Sequence, residues 1–430
     1  MNDKSLRIAG ALSLAALVGA CATPGGYESK PWPPRPESRP TQPATPLPPA
    51  EKPISAPPVK LPPLETPAAP TPPAALPYPG LREGSALAAR FLPDHVADRK
   101  GWATDIFRAF AALRIAPTPE NFCTAVAVID QESTFHADPV VPGLAAIARK
   151  EIDTRRERYG IPRLLLDAAL EKKSRNGRSY KARIDSLRTE REMSMLFEDM
   201  ISELPYGQTL FNRFNPVRTG GPMQVSIEFA EDQVRAAPYP YRPITSVRHE
   251  VFTRRGGLYF GIAYLLDYPA PYADPLYRFA DFNAGRYSAR NAAFQNAVMK
   301  IGKRRLSLDG DLLNYSLLNA ATGEPSETQR ALEAVAAKLR MNSTEIRRDL
   351  SLEKSAGFQD TALYAKVYAL ADQANGSRLP RAMSPQIDLK SPKIKRKLTT
   401  DWFAQRVNGR YRTCLARAEP RPEPPPQAAR

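Results

Sequence analysis

Beyond Gly80 the sequence predicts a mainly α protein. Three observations carry this: long alanine- and leucine-rich stretches, few alternating β-branched runs, and helix-start signatures placed just before apolar-periodic segments. Helices are expected at about 102–113, 119–131, 163–172, 180–203, 256–268, 289–301, 327–340, 361–374 and 399–415. Thr118 can cap the second, with Pro119 at its first position, where a missing N–H costs nothing. Ser326 with Gln329 and Asn342 with Glu345 both read as capping boxes, and Thr399 or Thr400 can cap the last helix. Within that helix Phe403, Val407, Tyr411 and Leu415 recur every fourth residue and form one apolar stripe that must be buried. From about Leu379, Pro380, Pro385 and Pro392 break the helical pattern, and the Pro- and charge-rich residues 418–430 read as a disordered tail. No internal repeat is visible.

Composition narrows the partners. A hydrophobic share of 42% suits a folded protein, and no run beyond the first twenty residues is apolar enough to span a bilayer. The net charge of +16 points to acidic partners: nucleic acid, anionic lipid or carboxylate-bearing peptides. Lys and Arg are scattered, with denser groups at 155–158, 254–255, 303–305 and 393–397, and no run interleaves them with aromatics in a nucleic-acid pattern, so nucleic acid is not expected. With three histidines and isolated cysteines there is no metal-ligand spacing, and no cofactor motif such as a glycine-rich phosphate loop. The expected cofactor set is none.

The first eighty residues read as an address. Lys4 and Arg7 precede a short apolar core, Ile8 to Val18, which is the pattern of a signal peptide over residues 1–20. Val18-Gly19-Ala20-Cys21 resembles the bacterial lipobox, which implies lipidation of Cys21 and attachment to a membrane through that N-terminal anchor. Ala22 follows, whereas Asp there would resemble an inner-membrane retention signal, so an outer membrane lipoprotein facing the periplasm is expected. Residues 21–80 form a proline-rich linker, excluded from helix and ladder and biased to polyproline II. At roughly 3 Å per residue its reach is on the order of 150 Å. In an oxidising compartment the two remaining cysteines, Cys123 and Cys414, can pair as a disulfide or stay as buried thiols.

Three short segments carry chemistry. An apolar helix ends in Val128-Ile129-Asp130-Gln131-Glu132-Ser133-Thr134-Phe135; Gly220-Gly221-Pro222-Met223-Gln224-Val225-Ser226 follows; then comes Asp281-Phe282-Asn283-Ala284-Gly285, read as a turn before another helix. A glutamate at the end of an apolar helix, partly desolvated in a cleft, is suited to delivering a proton to a glycosidic oxygen. In this order the segments resemble the lytic transglycosylases of the lysozyme-like superfamily, whose members carry Glu-Ser-x-Phe, then Gly-Leu-Met-Gln, then Tyr-Asn-Ala-Gly. The resemblance covers about residues 102–299.

The resemblance implies a lysozyme-like catalytic core within 81–417, with a helical insertion at about 139–216 and a C-terminal helical extension at about 320–417. It implies peptidoglycan glycan strands as substrate and cleavage of MurNAc-GlcNAc bonds to 1,6-anhydro products. Glu132 would serve as sole acid and base, with Ser133, Gln224, Phe282 and Asn283 lining the substrate cleft and Met223 in the core. Asp130, Glu228, Glu231 and Asp281 are the carboxylates from which a hydrolytic partner could come, or else they serve as surface and helix-end charges. Two departures stand out: Pro222 replaces Leu, and Phe282 replaces Tyr, so a hydroxyl near the acid would have to come from Tyr259, Tyr264 or Tyr287. The insertion reads as a lid or as a packing subdomain. The alternative to an enzyme is a catalytically inactive peptidoglycan-binding or envelope scaffold lipoprotein.

Overall fold

The computed structural model describes residues 78–203, 214–242, 245–316, 321–389 and 397–418. The expected leader, the Cys21 anchor, nearly all of the proline-rich linker and all of the expected tail but Ala418, which ends the last helix, fall outside these residues. Helices α1 (Leu81–Phe91), α2 (Arg99–Leu113) and α3 (Pro119–Ser133) open the fold. The insertion supplies α4 (Leu144–Arg158), α5 (Arg163–Glu171), α6 (Tyr180–Asp185) and α7 (Glu190–Ser202). A short hairpin of β1 (Thr219–Gly220) and β2 (Val225–Ser226) follows, with Thr219 opposite Ser226 and Gly220 opposite Val225. Then come α8 (Ile227–Ala236), α9 (Val247–Val251), α10 (Arg254–Leu266), α11 (Pro275–Ala284) and α12 (Ser288–Gly302). The C-terminal part holds α13 (Glu327–Ala334), α14 (Ala336–Leu339), α15 (Ser343–Leu350), a 3-10 turn at Ala356–Asp360, α16 (Ala362–Asn375), strands β3 (Asp388–Leu389) and β4 (Leu398–Thr399), and α17 (Thr400–Ala418). The protein is mainly α, as the sequence predicts.

Local chemistry sets the boundaries. Thr118 accepts from Asn121 N at the start of α3 with Pro119 at N1, and Asn342 and Glu345 close a reciprocal capping box on α15. Ser326 caps α13 through Gln329 N, but the Gln329 side chain turns to Glu333, leaving half a box. Thr399 receives Trp402 N at the start of α17. Two expected helices are each divided. The segment 180–203 breaks at 186–189, where Thr189 and Glu192 form a full capping box that restarts the chain as α7, and 327–340 breaks at Val335. The segment Asp281–Gly285, expected as a turn, is instead the last turn of α11, ended by Gly285 at φ +107°.

Two apolar clusters result. The first gathers residues of α1–α11 and takes back α17, whose Phe403, Val407 and Tyr411 are buried while Leu415 packs at its edge. Burying each such side chain stabilises by about 1.5–3 kcal/mol. The insertion contributes Leu166, Tyr180, Leu196 and Phe197 to this same cluster, and His249 of α9 meets Glu198 of α7 at 2.6 Å, so α4–α7 are a packed part of the body. The second cluster lies among α12–α16 around Phe294, Leu332, Leu350 and Phe358. It encloses a polar knot: fully buried Glu353 accepts from Leu313 N at 3.2 Å and from Leu312 N and Tyr315 Oη, while Arg290 donates to the carbonyls of Ser355 and Glu353. Cys123 of α3 and Cys414 of α17 are joined in a disulfide.

Candidate active site

Helix α10 packs against elements that carry all three segments. It packs against α3, β2 and α11, and against α2 on a further side. Close approach needs glycine at two helix positions. A Cβ at Gly261 would lie 2.5 Å from Met223 Cβ, and one at Gly257 would lie 2.4 Å from Pro222, so the hairpin turn seats directly on the helix backbone. Pro222 thus lies against Gly257, and Met223 is fully buried core as expected.

Glu132 stands in the last turn of α3, one turn beyond the buried Val128 and Ala125 on the same face. It is half-buried. The helix leaves through two successive left-handed residues, Thr134 at φ +48° and Phe135 at φ +59°. Phe135 is then wedged edge-on against Trp102, which lies beneath Arg254, itself held by Asp98 and Asp105 at 2.6 Å each. Ser133 is buried and its hydroxyl donates to Ile129 O at 3.0 Å, so its proton is used within its own helix.

Gln224 adopts φ +49° at the end of the hairpin turn. Its Nε2 donates to Gly221 O at 3.3 Å and its Oε1 accepts from Thr219 Oγ1, so the side chain braces the turn that presents it. Phe282 packs edge-on against Tyr264 of α10, which meets Phe229 of α8 in the same way. Of the three tyrosines weighed for the missing hydroxyl, Tyr264 is the one in contact with Phe282. Burial pushes its phenol up to about 12, so it stays a proton donor at neutral pH. Tyr259 packs among Tyr239 and Phe260, and Tyr287 against Tyr268.

Asn283 is the most telling residue of the third segment. It is 2% exposed, and neither its amide nitrogen nor its oxygen has a hydrogen-bond partner among the described residues. An orphaned buried carboxamide costs about 1–3 kcal/mol or more, and such groups concentrate where a ligand or ordered water completes them.

Two of the other candidate carboxylates, Asp281 and Asp130, are engaged elsewhere. Asp281 is fully buried and accepts from the backbone N–H of Tyr287 and Ala289 and the hydroxyls of Tyr268, Tyr272 and Ser288, which makes it the clasp joining α11 to α12. Burial pushes its carboxyl up to about 7 against the pull of those donors. Asp130 pairs with Arg410 at 2.9 Å on the α17 face, Glu228 is exposed on α8 and Glu231 half-buried there. Sequence reading passed over Arg286, which spreads over Phe229, Tyr264 and Tyr268 and donates to the carbonyls of Ala263 and Tyr264, capping α10 beside Phe282. Its position directly after Gly285 is the available signal. No group of three or more His, Cys, Asp or Glu suited to a metal occurs among the described residues.

The protein is mainly helical, with α10 packed against α3, against β2 of the Gln224 hairpin and against α11. Residues 95–417 match the family described as "Protein of unknown function (DUF1615)", and the chain belongs to that family. It is similar to "Uncharacterized protein YaiW" of Escherichia coli (strain K12), with 53% identity over 324 residues that span 75% of this chain and 87% of the relative. No solved structure matches it.

Proposed function

We propose that this protein is a peptidoglycan lytic transglycosylase with a lysozyme-like core, carried as a lipoprotein on the periplasmic face of the outer membrane. The observation that carries the reading is the orphaned carboxamide of Asn283, buried on α11, which packs on α10 as do α3, the helix that bears Glu132, and β2 of the Gln224 hairpin. Left-handed non-glycine residues at Thr134, Phe135, Gln224 and Tyr287 fall at or beside all three segments, and strained backbone of this kind concentrates at functional sites.

In the proposed reaction Glu132 delivers its proton to the oxygen of the MurNAc-GlcNAc bond as that bond breaks, and the N-acetyl group of the muramic unit steadies the cation. The resulting carboxylate takes the proton of the sugar's 6-hydroxyl as that oxygen closes the 1,6-anhydro ring. No second carboxylate is needed, in keeping with the engagement of Asp281 and Asp130 elsewhere. Asn283 and Gln224 would hold the sugar, with Tyr264 the tyrosine packed edge-on against Phe282.

Incubation of the full mature protein with purified sacculi tests this. The expected outcome is release of 1,6-anhydromuropeptides, lost in Glu132→Gln with the circular dichroism and melting temperature retained. Absence of product beside an active control enzyme refutes turnover, and sacculus pull-down without product would favour the reading as an inactive binding protein, which Phe282 in the place of Tyr suggests.

A further inference from the structure

Helix α5 of the insertion is apolar on two opposite sides. Leu166 and Leu170, one turn apart, are buried in the first cluster. Leu164, Leu165 and Ala168 fall on the far side of the helix and face solvent, Leu164 at 80% and Leu165 at 62% exposure, and Tyr159 in the preceding turn is 62% exposed. A helix with apolar residues all round is ordinarily covered all round. Large apolar side chains left side by side in water mark a surface that meets something else.

The surrounding charge says what that is. Residues 149–185 hold twelve lysines and arginines against six acids, a net +6. Each of the six acids pairs with a cation of the same stretch, Asp167 with Arg163 of α5 among them. Arg158, just before Tyr159, and Lys173, just past the end of α5, are exposed and pair with no carboxylate among the described residues. They bracket the apolar face from its two ends, separated by at least the roughly 13 Å of a nine-residue helix, so they fit no single small anion. They fit a plane. An extended anionic surface with an apolar interior meets both features at once, headgroups against the cations and leucines at the acyl boundary. A second copy of the chain fits worse, because pairing this face with itself would set +6 against +6.

We infer that the outer face of α5, with Tyr159, is a peripheral membrane contact that seats on an anionic phospholipid bilayer by inserting Leu164 and Leu165. The contact asks nothing of a lipid on Cys21 or of Glu132, so it stands or falls separately from the proposed function.

Flotation of residues 21–430 carrying Cys21→Ser, which can bear no acyl chain there, tests the inference with vesicles of phosphatidylcholine alone or mixed with phosphatidylglycerol. Binding to the mixed vesicles and not to phosphatidylcholine alone is expected. It should weaken about tenfold in Leu164→Ser and about thirtyfold in the double variant Arg158→Gln with Lys173→Gln. The same double change at Lys303 and Arg304, an exposed basic pair after α12, should leave it unchanged. Leu164 is exposed, so Leu164→Ser should keep the wild-type melting temperature. Leu164→Trp should bind as wild type, its added emission shifting to the blue on the mixed vesicles only. The inference is overturned by no binding to either vesicle, by equal binding to both, by an equal loss in the Lys303 and Arg304 variant, or by no blue shift in Leu164→Trp. Polyglutamate binding that Leu164→Ser weakens as much as vesicle binding would overturn it too, in favour of an acidic protein partner.

Discussion

At the scale of single residues, Asn283 and Asp281 are adjacent and opposite in character. Asp281 is surrounded by donors and holds two helices together, whereas Asn283, nearly as buried, has no hydrogen-bond partner among the described residues. Replacing Asn283 by Leu, of similar size, removes an unsatisfied amide and should raise stability by about 1–3 kcal/mol in thermal melts while weakening sacculus binding. A fall in melting temperature would mean that the amide is satisfied by something structural. Asp281 makes a pH prediction. Its folded carboxyl lies at about 7, above the ordinary 3.8, so between those values the folded state holds a proton that the unfolded state has released. Stability contributed by this group is greatest below about 4 and is lost as pH rises towards 7. Denaturant titrations across that window should show the slope in wild type and a flatter profile in Asp281→Asn.

At the scale of elements, the hairpin depends on a close backbone approach. Gly221 has φ +72°, and a Cβ there would lie 2.1 Å from Val251 O, so Gly221→Ala should cost about 2–4 kcal/mol in equilibrium unfolding and displace Gln224 with it. Helices α3, α10, α12 and α17 are legible in the sequence because periodic apolar faces and caps agree there. Helix α11 is harder to read. Asn283 and Gly285 carry turn propensity, and the signal that outweighs them is Asp274 capping a helix with Pro275 at its first position. The division between α6 and α7 was readable too, as Thr189 and Glu192 have capping-box spacing, but the run of helix formers on both sides masks it. Thr189→Ala should lower stability by about 1 kcal/mol through loss of that cap, seen as a lower denaturation midpoint. The seating of the hairpin on α10 has no local signature, because it rests on glycine-to-side-chain contacts between residues far apart in sequence.

At the scale of the whole molecule, the second apolar cluster is an excursion between α11 and α17, and the chain returns from it to finish the first. The disulfide seals that return across a sequence separation of 291. Cys414→Ser should therefore lower stability by about 3–5 kcal/mol on loop-closure grounds, and reductant should move the wild-type melting temperature but not that of the variant. Helix α3 is made nearly three hundred residues before α17, the helix that packs over it, so a chain cut short of α17 leaves that face of α3 uncovered and Cys123 without its disulfide partner.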